Sequence, residues 1–287
     1  MIKNFIVPID FSEDSLKGLE LAILFSTKTF VNIQMVYVQK RTAEHFPSAI
    51  REEYNKAKEK FEKLIQECSP RAENGSKIRY IIKKGPKVYE EVVNQVESYK
   101  ESIITASTHG ASGFEEFFMG SNAFKIISAT TRPVIAIRKG PVPAEIRKIV
   151  LPIDIMPETR QKVPLTADIA ALFGAEVHVI EVATSHSSKV HKRLNAYSKQ
   201  VSNFLKGRNI VVVNKTLYGD NVADLTVEYA HAVQADLISI ITEQKSSITN
   251  LILGNYAQQV LNKANIPVLN ITPKEIQIKG SFSTYGE

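Results

Sequence analysis

Short apolar runs alternate with amphipathic stretches along most of the chain. The run FIVPID at residues 5–10 ends in a polar turn, which is typical of a buried strand in a parallel sheet. Behind it, apolar positions recur at helical spacing over residues 14–27. A longer apolar stripe, which includes Tyr54, runs from Ile50 to Cys68 through a highly charged segment and predicts a long amphipathic helix.

The same alternation continues to the middle of the chain. Apolar, β-branched segments predict four further strands: VNIQMVYV (31–38), KIRYIIKKG (77–85), SIITAS (102–107) and RPVIAI (132–137). Between them, residues 88–96 form a helical pattern opened by Pro86, and residues 121–131 form another. Strands that alternate with helices predict a parallel sheet covered by helices on both faces.

The second half of the chain repeats the first. IKNFIVPIDFSEDS (2–15) aligns with IRKIVLPIDIMPET (146–159), and RPVIAI (132–137) aligns with IPVLNI (266–271). The period is far longer than a solenoid repeat of about 20–50 residues. We therefore expect two α/β domains, at 1–139 and 145–273, followed by a polar C-terminal tail at 274–287. A second long helix is predicted by the stripe Val190, Leu194, Tyr197, Val201 and Phe204.

Charge and composition narrow the function classes. Lys and Arg number 36 and Asp and Glu 30, a formal charge of +6, but the charges are interspersed, as in REEYNKAKEKFEKLIQE (51–67). Such mixing indicates a solvated helix face and does not favour nucleic-acid binding. Neither a membrane-spanning apolar run nor a signal peptide is evident. The single cysteine, Cys68, excludes an intrachain disulfide framework, and we expect a cytoplasmic protein.

The candidate ligand-binding residues lie at the carboxyl ends of the predicted strands. In a doubly wound sheet, ligands bind beyond the carboxyl ends of the strands, near the point where strand order reverses. The segment TASTHGASGFEEFFMGSNAF (105–124) carries three glycines before a predicted helix, an arrangement that suits phosphate binding and equally a tight turn. Asp10 has two interpretations: its carboxylate could accept hydrogen bonds from a nucleobase or ribose, or it could cap the next helix together with Ser12.

No catalytic set is apparent. The sequence has no GxxxxGK[ST] phosphate loop, no G-x-S-x-G elbow and no HExxH helix. His109 lies in the Gly-rich segment, where an exposed histidine is commonplace. We therefore predict no catalytic or metal-binding residues.

The Gly-rich segment carries a resemblance. Ser107-Thr-His-Gly110, nine residues and then Gly120-Ser121 resemble the universal stress protein signature G-x2-G-x9-G-[S/T], in which the first glycine is replaced here by Ser107. The resemblance covers both halves and implies two tandem Rossmann-like domains, each a five-stranded parallel sheet sandwiched by helices. It implies as cofactor ATP or a related adenine nucleotide, with or without Mg²⁺. The nucleotide-binding residues it implies are Pro8, Ile9, Asp10 and Val38 for the adenine and ribose, and Ser107, Gly110, Gly120, Ser121 and Asn122 for the phosphates.

The second copy departs from this signature. IITEQKSSITNLILGNY (240–256) keeps Gly254 but has Ile241 and Gln244 at the other glycine positions and Asn255 in place of the serine. We expect a degenerate nucleotide site there, in a domain that is a structural partner or a site for something else.

The resemblance also carries expectations about assembly and function. The two domains would form an intrachain pseudo-dimer through residues 133–137 and 267–271, with homodimers as a further expectation. Left unpaired, these apolar strands would be exposed edges. The leading hypothesis is a stress-response sensor that binds an adenine nucleotide in its N-terminal domain. The alternatives are an interaction scaffold that binds no nucleotide and a slow ATP hydrolase.

Overall fold

The computed structural model describes residues 2–40, 47–108, 121–183, 187–242 and 253–273. Within them the chain forms ten strands and eight α-helices, which alternate in both halves as the sequence predicts. Two short 3₁₀ helices are also present among these residues, at Ser69–Arg71 and Pro157–Lys162. Among these residues, no helix is both long and apolar enough to cross a membrane.

The elements of the N-terminal half follow in strict alternation. They are β1 (Asn4–Pro8), α1 (Glu13–Ser26), β2 (Asn32–Lys40), α2 (Pro47–Cys68), β3 (Lys77–Gly85), α3 (Val88–Glu97), β4 (Ser102–Ser107), α4 (Ser121–Ala129) and β5 (Val134–Ile137). The C-terminal half repeats the series as β6 (Lys148–Ile153), α5 (Val163–Phe173), β7 (Glu176–Ala183), α6 (Ser188–Lys206), β8 (Val212–Tyr218), α7 (Val222–Ala232), β9 (Leu237–Ile241), α8 (Asn255–Lys263) and β10 (Val268–Ile271).

All ten strands belong to one sheet in the order β3-β2-β1-β4-β5-β10-β9-β6-β7-β8. The five strands of each half are mutually parallel, and β5 pairs with β10 in the antiparallel sense. Leu269 lies opposite Ile135 at the centre of this pairing. The segments 133–137 and 267–271 therefore meet, as the resemblance implies, and neither strand is left as an open edge.

Helices cover both faces of the sheet because successive strand residues point to opposite sides. In β1, Phe5 and Val7 pack with the helices α1 and α2, whereas Ile6 packs in the cluster that includes α3 and α4. The α1 face is continuous across the two halves, since the rings of Phe25 and Phe173 meet edge to face at a centroid distance of 5.1 Å.

Polar contacts reinforce the junction between the halves. Buried Asn270 donates its side-chain amide to the Val134 carbonyl oxygen at 3.4 Å and to its own strand at 3.0 Å. The Thr272 hydroxyl donates to the Thr130 carbonyl at 3.1 Å. On the α1 face, Lys28 forms an ion pair with Glu145 at 2.9 Å.

Three local predictions were wrong in detail. Pro86 precedes α3, which begins at Val88 after Lys87. Tyr54 and Phe204, assigned to the apolar stripes of α2 and α6, are 38% and 44% exposed. Both helices pack over the outer strands of the sheet, where there is too little neighbouring structure to cover their whole apolar face.

We expect Leu269→Ala, at the β5–β10 junction, to lower the free energy of unfolding by about 2–5 kcal/mol, the usual cost of truncating a fully buried leucine. Denaturant titration measures this change. The control is Val211→Ala, at a 64% exposed position, which should stay within about 0.5 kcal/mol of the unmodified chain. Equal, small effects of both changes would contradict the buried junction.

Candidate functional site

The candidate site is the edge of the sheet formed by the carboxyl ends of β1, β2 and β4. After β1 the chain forms α1 on one face of the sheet, and the helix that follows β4, α4, packs on the other face. Connections that diverge in this way leave a crevice between β1 and β4, where doubly wound sheets place ligands. In the C-terminal half, β6 and β9 form the matching crevice.

Five of the predicted site residues lie along this edge. Pro8 ends β1 opposite Val36, and the Ile9 amide donates to the Val36 carbonyl at 2.9 Å, so Asp10 emerges beyond the sheet. Val38 is buried in the neighbouring strand β2. Ser107 ends β4.

Asp10 is exposed and caps the entry to α1 indirectly. Its Oδ1 accepts hydrogen bonds from the Ser12 amide at 3.0 Å and the Ser12 hydroxyl at 2.5 Å. The Ser12 Oγ accepts in turn from the Ser15 amide at 3.2 Å, which makes Ser12 the N-cap of α1. The capping interpretation of this segment is therefore confirmed: Ser12 is the N-cap, and Asp10 holds Ser12 in place through two hydrogen bonds.

Of the four remaining predicted site residues, two lie outside the described residues and two lie in α4. Gly110 and Gly120 lie outside the described residues, as do His109 and Gln244. Ser121 is the first residue of α4, and Asn122 is exposed on its first turn.

Thr108 was not singled out by the sequence. It follows β4, its amide donates to the Ile137 carbonyl at 2.8 Å, and it is 1% exposed. Among the residues that the structure describes, its hydroxyl has no hydrogen-bond partner. Buried hydroxyls are normally paired, so this one is a candidate contact for a bound group. The signal in the sequence was a polar residue directly between a buried strand and the Gly-rich segment.

A second feature of the N-terminal half lies on the α2 face. Phe11 adopts a left-handed φ of 66°, and its ring meets Tyr37 at 5.3 Å and Phe61 at 4.8 Å. The Tyr37 hydroxyl donates to Glu53 at 2.6 Å, and burial, followed by this carboxylate, raises the pKa of Tyr37. A cavity of about 380 Å³ opens beside Phe11 and Tyr37, and charged side chains of α2 line it.

The matching edge of the C-terminal half contains a larger cavity, of about 500 Å³. Pro152, Asp154, Val182 and Gly254 line it, the counterparts of Pro8, Asp10, Val38 and Gly120. The sequence predicted a degenerate nucleotide site at this edge, and the structure shows that the edge nonetheless encloses space.

Most of the cavity wall is apolar, with a few polar groups among the aliphatic side chains. The Asp154 carboxylate accepts hydrogen bonds from the Met156 amide at 2.7 Å and from the Thr159 hydroxyl at 2.9 Å. Tyr256 is partly buried, and burial of its phenol raises the pKa of that group. The full lining comprises Pro152, Ile153, Asp154, Ile155, Met156, Glu158, Thr159, Lys162, Val182, Val190, Leu194, Val222, Ile241, Thr242, Gly254, Tyr256, Ala257 and Pro273.

Lys162 is the unusual member of this lining. Its side chain is only 2% exposed. In the described part of the chain, its ammonium makes no hydrogen bond and no ion pair. Burial lowers the pKa of Lys162 to about 8, although the nearby negative charge of Asp154 acts in the opposite direction. Lys162 was not singled out from the sequence, because residue spacing does not show that a lysine at the entry to a helix would be buried.

Comparisons with known proteins agree with the fold. The model of the universal stress protein family matches residues 1–138 and 145–271. No curated protein matches the chain.

Among solved structures, a universal stress protein from Archaeoglobus fulgidus DSM 4304 is 20% identical, covers 94% of this chain and 98% of its own, and has a TM-score of 0.75. A structure described as a putative universal stress protein, from Pseudomonas aeruginosa UCBPP-PA14, is 18% identical, with coverages of 95% and 94% and a TM-score of 0.66. These likenesses confirm the predicted tandem Rossmann-like fold.

The buried lysine predicts a pH-dependent stability. Below pH 8 the Lys162 side chain of the folded chain is mostly charged, and its desolvation opposes folding. Between pH 8 and 10.5 the folded chain releases a proton that the unfolded chain retains, so the free energy of unfolding should rise, by about 3 kcal/mol in total.

Denaturant titrations across this pH range measure the effect. Lys162→Met is the matched comparison, because it removes the titrating group and keeps an unbranched side chain. The rise should be present in the unmodified chain and absent from Lys162→Met. Parallel stability curves for the two proteins would contradict the burial of a charged lysine.

Proposed function

Because this chain belongs to the universal stress protein family, we propose that its N-terminal domain binds an adenine nucleotide and that the protein acts as a nucleotide-responsive sensor in stress signalling. In this proposal the N-terminal domain spans residues 1–139, the C-terminal domain spans 145–273, and 274–287 is a tail. The protein is placed in the cytoplasm, with its two domains paired as an intrachain pseudo-dimer.

The observation that carries the proposal is that predicted site residues from two separate strands lie at the β1–β4 crevice. Pro8, Ile9 and Asp10 reach it from β1, and Ser107 reaches it from β4. The signature then leads into α4, which begins at Ser121. A helix N-terminus presents unpaired amide donors and a partial positive charge, both of which suit phosphate.

The residues on this edge fit the two ends of a nucleotide. Apolar Ile9 and Val38 and the backbone after β1 suit an adenine, and the exposed Asp10 carboxylate suits a ribose hydroxyl or base amine. Buried Thr108 offers a hydroxyl that lacks a partner among the described residues, next to the phosphate-binding segment. Gly110 and Gly120 would let the backbone approach the phosphates closely.

The role is proposed to be binding without efficient turnover. Among the described residues, no group of three or more histidine, cysteine, aspartate or glutamate side chains is placed to hold a metal ion. Mg²⁺ would therefore arrive with the nucleotide and be held mainly by its phosphates.

We expect calorimetry with ATP and magnesium to give one binding site per chain. Gly120→Leu should abolish binding, because a bulky side chain would block the approach of the backbone to the phosphates. The control is Gly254→Leu, at the counterpart position in the C-terminal domain, which should bind ATP unchanged. Two equivalent sites, or none in the unmodified chain, would contradict the proposal, and the second outcome would favour the scaffold alternative.

The two matched aspartates should differ in role. Asp10→Ala should weaken ATP binding by about 1–3 kcal/mol, the usual cost of removing a hydrogen-bond partner from a bound polar group. Asp154→Ala should leave ATP affinity unchanged, although both changes cost about 1 kcal/mol of stability through their helix-entry contacts. Melting temperature and ATP affinity, measured for both variants, separate the two effects. Equal losses of affinity would overturn the assignment of binding to the N-terminal domain alone.

A further inference from the structure

The C-terminal cavity has the properties of a ligand site distinct from the proposed nucleotide site. Its volume of about 500 Å³ lies within the range of about 300–1,000 Å³ that is typical of small-molecule sites. Such sites combine apolar walls with a few well-placed polar groups. Aliphatic side chains from β6, α6, α7 and β9 form most of this wall.

The polar group that stands out is Lys162. An ammonium taken out of water loses its hydration and is normally compensated by a carboxylate or by several hydrogen bonds. Lys162 has neither among the described residues, and Asp154 forms no direct ion pair with it. The cavity that Lys162 lines is the space from which a compensating anion could reach it.

The charges of the other lining residues limit that anion to a single negative charge. Asp154 and the exposed Glu158 are the acidic groups on the wall, and they would repel a ligand with further negative charge. Burial keeps the Tyr256 phenol protonated, so it remains a hydrogen-bond donor. Its oxygen lies 3.4 Å from Thr226 Oγ1, a long contact, and Thr226 already donates to the Val222 carbonyl at 2.7 Å.

We propose that the C-terminal cavity binds a small monocarboxylate with an apolar body, whose carboxylate pairs with Lys162 and whose body packs against the aliphatic wall. A nucleoside triphosphate does not fit this site, because it carries several negative charges and Ile241 and Asn255 replace signature residues there. The proposal does not depend on nucleotide binding in the N-terminal domain.

The test uses calorimetric titration of the full chain with three probes that share one apolar body: octanoate, octanol and octylamine. Octanoate should bind at one site per chain and about tenfold or more tighter than octanol, since a charge-assisted hydrogen bond outweighs a neutral one. Octylamine should bind more weakly than both, because its charge would face Lys162.

Lys162→Met locates the site, because it removes the cation and keeps the apolar stem. Its affinity for octanoate should fall to that of octanol. The matched control is Lys148→Met, at the opposite end of β6, which should bind octanoate as the unmodified chain does. If octanol or octylamine binds the unmodified chain as tightly as octanoate does, or if Lys162→Met keeps the preference for octanoate, the proposal is wrong. The ranking of the three probes on the unmodified chain decides the matter even if Lys162→Met fails to fold.

Discussion

The antiparallel pairing of β5 with β10 is the constraint on which the rest of the molecule depends. It joins two parallel sheets into one, buries the apolar edges of both, and makes the α1 face continuous through Phe25 and Phe173. The antiparallel pairing also fixes the relative direction of the strands in the two halves. Because the strands of the two halves run in opposite senses, their carboxyl ends lie at opposite edges of the ten-stranded sheet. The β1–β4 crevice and the C-terminal cavity are therefore separate compartments, and each is built from the residues of its own half.

The entry to the helix that follows the first strand differs between the two halves. A Cβ atom on Gly18 would lie 2.6 Å from the Thr105 carbonyl oxygen, so α1 can pack against β4 only without a side chain there. In the C-terminal half, a 3₁₀ helix that ends at Lys162 precedes α5. At that entry, Thr166 bonds Ser239 of β9 at 2.7 Å. The changed helix entry accommodates the lysine side chain, which brings a buried cation to the one edge and not to the other.

The sequence predicted the fold well because the information was repeated and local. Strand and helix periods recur in both halves, and the family resemblance indicated the segments 133–137 and 267–271 as the junction between them. The edge holding Pro8, Asp10 and Ser107 followed from the rule for parallel sheets. Lys162 and Thr108 were missed because their significance lies in burial without a partner. That property depends on how a helix entry is packed and on what surrounds a side chain, and neither can be read from residue spacing.

The buried lysine connects stability with binding in the C-terminal domain. A lysine is almost never fully buried without a partner, because desolvation of its charge opposes folding. The chain can reduce that cost by releasing the proton, which is why the pKa of Lys162 falls to about 8, or by admitting an anion. Release of the proton leaves a neutral amine in an apolar cavity, whereas binding of an anion keeps the charge and supplies a partner for it.

At neutral pH, below that pKa, the lysine is mostly protonated, so the unliganded domain is held in a state that an anion would stabilise. A ligand that binds only the folded chain adds stability in proportion to the logarithm of its concentration. The same residue that weakens the empty domain therefore supplies the binding energy for a ligand of the right charge.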